Sequence, residues 1–138
     1  MEQENAPQVT VIVCCFNAGT FIAEALATLL AQRYSNLTLL VIDDGSTDDS
    51  LETVQRVADG DSRVRLLCND RNRGTAYTRM RGLVAAETNL VMFFDADDLA
   101  RRDLLAELVA KFQEDANILG VSCYAHYFNK KMISVHSA

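Results

Sequence analysis

"VTVIVCCFNAGTFIAEALATLLAQRYSNLTLLVIDDGSTDDS" fills residues 9–50. It opens on Val9 to Cys15, where apolar and β-branched residues follow one another with almost no polar alternation. A strand covered on one face alternates. A strand covered on both faces does not, and such strands belong to parallel sheets. Phe21, Ile22, Ala25, Leu26, Leu29 and Leu30 then recur at helical spacing. A second continuous run, Leu37 to Ile42, comes next. Strand, helix, strand in this order is a parallel βαβ unit, because parallel neighbours need a crossover that a tight hairpin cannot provide.

The same alternation continues along the chain. "VRLLC" (Val64 to Cys68) and Leu90 to Phe94 read as a third and a fourth strand, and "ILGVSCYAHYF", from Ile118, as a fifth. Between them lie three more helical stripes. One is Leu51, Val54, Val57 and Ala58; the next, within residues 75–86, is Ala76, Met80, Leu83 and Val84; the last is Leu104, Leu105, Leu108, Val109 and Phe112. The fold class expected is α/β, a Rossmann-like mainly parallel sheet with helices on both faces. Ser46 and Thr47 stand where a helix N-cap is expected, with Asp48 and Asp49 in its first turn. Asp98 is expected to cap the fourth helix. Residues 1–8, "MEQENAPQ", read as a flexible tail, and residues 9–138 as one domain.

Composition bounds the function. The chain has 138 residues, 49% hydrophobic and 23% charged, with a net charge of -6. That charge argues against nucleic-acid binding by bulk electrostatics; a polyanionic ligand needs a local device. No apolar run approaches the roughly 20 residues that span a bilayer, and no secretory signal pattern opens the chain. Cys14, Cys15, Cys68 and Cys123 form no C-x-x-C, and neither His126 nor His136 stands at metal-ligand spacing from them. Buried free thiols in a reducing compartment are expected.

Ligands of open α/β sheets bind outside the carboxyl ends of the strands. "CCFN" ends the first strand, "DDGSTDD" the second and "DADD", in "VMFFDADD", the fourth. Asp43, Asp44, Asp95 and Asp97 are therefore expected to share one crevice. Like charges so placed repel. Mg²⁺ or Mn²⁺ relieves that repulsion, keeping one or two protein carboxylates and taking its other oxygens from phosphate and water. Such a crevice binds a diphosphate through a metal bridge.

Residues 9–50, together with "NRGTAYTRMRGLVAAETNLVMFFDADDL" (residues 72–99), resemble family 2 glycosyltransferases of the GT-A fold. The resemblance covers about Val9 to Leu105. It rests on DDGSTD, G-x-x-x-x-R and D-x-D succeeding one another on alternating strands and helices. It implies inverting, metal-dependent transfer of a sugar from a nucleotide-diphosphate sugar, a UDP-sugar by expectation. The acceptor would be a saccharide or a lipid-linked one, in cell-wall or polysaccharide biosynthesis. It implies Asp97 as a metal ligand, and Asp95 facing the ribose or the metal's water shell. It implies Asp44 as acceptor of the uracil N3–H, Phe16 stacked on the base, and Arg79 bonding the base or balancing the acids.

The chain departs from the family pattern at Cys14, where relatives usually have Pro, at Thr78 and Met80, in place of Ala and Asn, and near Arg102, where Pro is common. Relatives continue into acceptor-binding strands and a late acidic general base, whereas no Asp or Glu comes after Ile118 here. The chain is thus expected to be the donor-binding half, inactive in transfer by itself. It is expected to self-associate through uncovered surface, and to be cytoplasmic or peripheral at the inner face of the membrane. Three other readings compete. A phosphorelay receiver would use Asp43, Asp44, Asp95 and Lys130, but its acid pair belongs after the first strand and here stands after the second. A dinucleotide-binding domain needs G-x-G-x-x-G where "CCFNAG" stands. A nucleotide-binding module without catalysis keeps the fold and the site and lacks only the base.

Overall fold

The computed structural model describes residues 6–123, 125–129 and 132–135. Its elements run β1 (Val9–Cys15), α1 (Ile22–Leu30), β2 (Leu37–Asp43), α2 (Ser50–Gly60), β3 (Val64–Cys68), α3 (Thr75–Ala85), β4 (Leu90–Asp95), α4 (Leu104–Glu114), β5 (His126–Asn129) and β6 (Met132–Val135). The first four strands form one parallel sheet in the order β3-β2-β1-β4. β5 and β6 pair antiparallel in a separate two-stranded sheet.

Strand order reverses at β1. The chain steps outward from β1 to β2 to β3, then crosses back to place β4 on the other side of β1. At such a reversal the connecting loops part, and a crevice opens at the carboxyl ends of the strands. The register sets those ends level: Cys14 lies opposite both Ile42 and Asp95, and Cys15 opposite Asp43.

The main core lies on one face of the sheet. Val9, Val11, Val13, Leu39 and Val41 meet Ile22, Leu26 and Leu29 of α1, Val54 of α2, and Leu105 and Val109 of α4 there. Ile12, Leu40 and Ile42 point to the other face, against α3. α3 lies so close that a Cβ at Gly82 would stand 2.5 Å from Ile12 Cγ2 and 2.8 Å from Ile42 Cδ1. Only small side chains fit under it, so the buried residues of α3 are Thr78 and Gly82. The stripe read from the sequence therefore faces the wrong way: Met80, Leu83 and Val84 are exposed, Val84 to 81%.

Three further expectations change. β4 is an edge strand of the four-stranded sheet, and Leu90, Met92 and Phe94 pack inward while Val91 and Phe93 are exposed. The fifth strand does not begin at Ile118: residues 118–123 hold no strand, and the next strands are the antiparallel β5–β6 pair. Residues 6–8, expected within the flexible tail, are tied to the domain: Tyr34 and Asn36 donate to the carbonyls of Pro7 and Ala6, and Gln8 donates to Thr38 Oγ1. Among the described residues no helix is long and apolar enough to cross a membrane.

Candidate functional site

A cleft of about 420 Å³ opens at the reversal point. Its walls come from the end of β1 and the loop after it (Cys14, Phe16, Ala18, Phe21), from the end of β2 (Asp44), from α3 (Thr75, Thr78, Arg79) and from the end of β4 (Asp95, Asp97). Of the four aspartates expected in one crevice, three line it and Asp43 does not. Side chains alternate along β2, so Asp43 shares the core face with Leu39 and Val41 and is 2% exposed. Its Oδ2 accepts from the Ser46 amide at 3.0 Å, closing the turn after the strand.

The loop after β1 is stitched to the loop after β2. Asn17 sits in the left-handed region at φ 48°. The amides of Asn17, Ala18 and Gly19 donate to Ser46 Oγ, Ser50 Oγ and Asp48 Oδ2 at 3.0, 2.9 and 2.9 Å. In return Asn17 Oδ1 accepts from the Thr47 amide. The sequence reading of Ser46 and Thr47 as the helix cap is corrected here. α2 starts at Ser50 with Asp49 at its N-cap, and Asp49 makes no capping bond with its side chain. Ser46 is committed to the neighbouring loop, and Asp48 serves both, its Oδ2 accepting from the Gly19 amide and its Oδ1 from the amide of Ser50 at the start of α2. Gly45 is required for packing as well as for its φ of 75°, since a Cβ there would stand 2.6 Å from the Arg71 backbone.

Asp44 is 4% exposed yet fully provided with donors. Its Oδ1 accepts from Asn69 Nδ2 at 2.7 Å and from the Arg73 amide at 2.8 Å, and its Oδ2 from the Gly74 amide at 2.9 Å. Burial pushes this carboxyl up. The hydrogen bonds from Asn69, the two amides and the Thr78 hydroxyl outweigh it and hold Asp44 below the ordinary carboxylate range. The sequence pointed to Asp44 but not to the residues that hold it. Their signal was "NDRNRG", a turn-rich run after β3.

The acids after β4 are the opposite case. Asp95, Asp97 and Asp98 are exposed. Arg79 Nη2 lies 3.1 Å from Asp95 Oδ1, and its guanidinium carbon 5.4 Å from the Phe93 ring centroid. Arg79 thus stands beside Asp95. Asp98 is held above its ordinary value by burial, then by the charges of Asp95 and Asp97. It does not cap α4, which starts at Leu104 behind Asp103. Asp98 instead closes a turn, its amide donating to the Asp95 carbonyl. Cys14 lies near the same charges, its thiol pushed up chiefly by burial. All four cysteines are free as expected, but Cys68 and Cys123 are exposed rather than buried.

Among the described residues no three His, Cys, Asp or Glu converge on a point where a metal would sit. Mg²⁺ and Mn²⁺ do not need such a cage, since one or two carboxylates suffice when phosphates supply the rest. Asp95 and Asp97, both exposed at the cleft, fit an ion of that kind. Phe16, 46% exposed, also lines the cleft. Lys130 and His136 lie outside the described residues, and His126 opens β5.

Comparison with known proteins accords with this geometry. The family model for glycosyl transferase family 2 matches residues 10–137. The chain belongs to that family. An uncharacterized glycosyltransferase of Haemophilus influenzae is 31% identical over 128 residues, 93% of this chain and 40% of that protein. The glycosyltransferase GlyG of Streptococcus pneumoniae is 30% identical over 122 residues, 88% of this chain and 39% of its own length. Among solved structures, the mannosyltransferase PcManGT from Pyrobaculum calidifontis, in complex with GDP-Man and Mn²⁺, superposes with a TM-score of 0.73 at 32% identity. That match covers 79% of this chain and 33% of PcManGT. TarS of S. aureus with UDP-GlcNAc gives 0.71 at 28%, over 78% of this chain and 31% of TarS. The fold is thus the GT-A fold of these glycosyltransferases, and the chain spans about two fifths or less of each relative named here.

Proposed function

We propose that this chain is the donor-binding part of an inverting, metal-dependent glycosyltransferase that uses a nucleotide-diphosphate sugar, with a UDP-sugar first in order. One observation carries the reading. A single cleft has a buried, anionic hydrogen-bond acceptor, Asp44, on one wall and an exposed acid pair, Asp95 and Asp97, on another. A nucleoside diphosphate has the matching ends, a base with an N–H and a metal-binding diphosphate. Asp97 would hold Mg²⁺ or Mn²⁺, and Asp95 the ribose or the ion's water shell. Phe16 would stack on the base, and Arg79 would balance the acids. When bound, the ion neutralises charge on the leaving diphosphate. The complexes of PcManGT with GDP-Man and Mn²⁺ and of TarS with UDP-GlcNAc support a donor of this class.

Inverting transfer also needs a base within reach of the acceptor hydroxyl. The acids of this cleft stand at the donor end, and no Asp or Glu comes after Ile118. The 138-residue chain accordingly binds donor without transferring its sugar to an acceptor. By this reading the acceptor is a saccharide or a lipid-linked one. Thermal shifts with UDP, GDP, dTDP and ADP, each with Mn²⁺ or EDTA, test the binding. A ligand at 100 times its Kd contributes about 2.7 kcal/mol, a rise of at least roughly 4 °C in a domain of this size. UDP with Mn²⁺ should give the largest rise. Equal rises with ADP, or in EDTA, would overturn the reading. Multiple-turnover sugar transfer by this chain would overturn the division of labour, and His126→Ala would then be the first variant to make.

A further inference from the structure

The segment that carries Asp97 has no regular structure of its own. Residues 96–103 form neither helix nor strand, and three like charges, Asp95, Asp97 and Asp98, crowd its start. Its anchors come from α1 and the residues just after it. Thr28 Oγ1 accepts from the Ala100 amide at 3.1 Å, and the Arg33 amide donates to the Arg102 carbonyl at 2.9 Å. Gln32, 6% exposed, donates through Nε2 to the Arg101 carbonyl at 2.6 Å and to the Thr28 carbonyl at 3.3 Å, while its Oε1 accepts from the Leu105 amide at 3.0 Å. These partners admit one orientation of the amide. Flipped, Gln32 would aim its oxygen at two carbonyls and its protons at an N–H. The Leu105 amide belongs to the first turn of α4, whose donors no helical carbonyl can reach. Asp103, at the N-cap, makes no capping bond with its side chain and pairs with Arg33 at 2.9 Å. Gln32 therefore caps α4 from outside that helix and grips the carbonyl of Arg101 at the same time.

Ala96, 6% exposed between the two acids, sits in the same core cluster as Ile22 and Leu26 of α1, and Ala100 packs against that cluster. Asp97 thus stands on a short span held at both ends. We infer that Thr28 and Gln32 are positioning residues for the acid pair: by fastening residues 100–105 to α1 they fix where Asp97 stands relative to Asp95, and so set the affinity of the cleft for a divalent ion. Neither side chain lines the cleft, so each acts only through the segment it holds. Two carboxylates held at one spacing receive an ion without first being ordered. A loose pair moves apart under its own repulsion, and drawing it together again costs affinity. The inference rests on the proposed reading of Asp97 as the ligand of the ion.

The experiment is calorimetry of UDP over a series of Mn²⁺ concentrations, which gives the half-saturating Mn²⁺, and of uridine, which has the base and no diphosphate. The proteins are the wild type, Gln32→Met, Thr28→Val, Thr28→Ser and Asp97→Ala. Methionine keeps the length of glutamine and removes its hydrogen bonds. Valine keeps the shape of threonine and removes the hydroxyl, while serine keeps the hydroxyl. T28V should raise the half-saturating Mn²⁺ about 3- to 10-fold, the factor one hydrogen bond is worth. Q32M, which loses the bonds to both Arg101 and Leu105, should raise it further. T28S should restore the wild-type value, and uridine binding should stay level throughout. T28V loosens a single anchor and decides the matter should Q32M not melt cooperatively. A folded T28V with the wild-type Mn²⁺ value overturns the inference, as does a parallel loss of uridine binding, which would mean general distortion. Asp97→Ala separates the two levels. If it keeps the Mn²⁺ dependence, the parent reading of Asp97 is wrong and the inference falls with it. If it loses the dependence while T28V keeps the wild-type value, only the role of Thr28 and Gln32 fails.

Discussion

The aspartates after β2 and those after β4 look alike in sequence and stand in opposite physical states. Asp43 and Asp44 are 2% and 4% exposed. Asp44 is surrounded by donors, two of them main-chain amides, and is held below its ordinary value. Asp95, Asp97 and Asp98 are exposed, crowd one another and meet one guanidinium, that of Arg79. Asp44 is satisfied by the protein and helps organise the fold, while buried Asp43 closes the turn after β2 through Oδ2 and leaves its Oδ1 without a partner among the described residues. The group after β4 is left unsatisfied by the protein, so it can recruit a cation. Burial and hydrogen bonding, rather than residue type, decide which task a carboxylate performs.

The sharpest way to break this contrast is Asp97→Ala. It removes an exposed acid with no structural duty, so the melting temperature should move little. Binding of UDP should lose its dependence on Mn²⁺, titrating equally in metal and in EDTA. A variant that still binds better with Mn²⁺ would move the ion elsewhere.

Asp44→Asn should strike both fold and ligand. Asn carries one acceptor oxygen, so a buried donor is left unpaired at a cost of about 1–3 kcal/mol. Denaturant melts should show that loss. UDP affinity should fall by a similar amount while the metal requirement persists. Wild-type stability in this variant would show that the donors around Asp44 find water, and the contrast between the two groups would weaken.

The smallest effect concerns pH, and its sign separates the groups. Asp44 has a lowered folded value, so its stabilisation is present above the ordinary aspartate range, near 3.9, and is lost as pH falls through the folded value. Asp98 has a raised folded value, so its penalty is full above that value and is relieved on acidification. Melting temperatures of Asp44→Asn and Asp98→Asn, measured against wild type between pH 7 and 3, should therefore start on opposite sides of zero. Both differences should shrink as pH falls. Two deficits of the same sign would remove the distinction.

The parallel sheet, its first four strands and the three motif-bearing ends could be read from residues alone. The continuous runs of β1 and β2 are central strands, and the Phe21 to Leu30 stripe is the core face of α1. The misreadings share a cause. Met80 and Val84 have the right spacing for a core stripe, but α3 approaches Ile12 too closely for side chains of that size, and Gly82 and Thr78 take the inner face. Val91 and Phe93 look buried in a continuous run and are not, because they sit on the outer face of β4, an edge strand of the four-stranded sheet. Ser46 and Asp98 have the chemistry of caps, yet a neighbouring loop and a turn claim them first.

By itself the sequence determined periodicity and chemistry: which segments are strands or helices, and which acids stand at strand ends. Both are local properties, since backbone geometry repeats every two or 3.6 residues and an acid is an acid wherever it lies. Only the tertiary structure decided how the acids divide. Asp44 owes its donors to residues 69–74, far along the chain, and Asp95 owes its exposure to the open edge at β4. Ionisation, hydrogen bonding and access to a ligand depend on what surrounds a group in space, and the loops that provide those surroundings carry no period from which to read them.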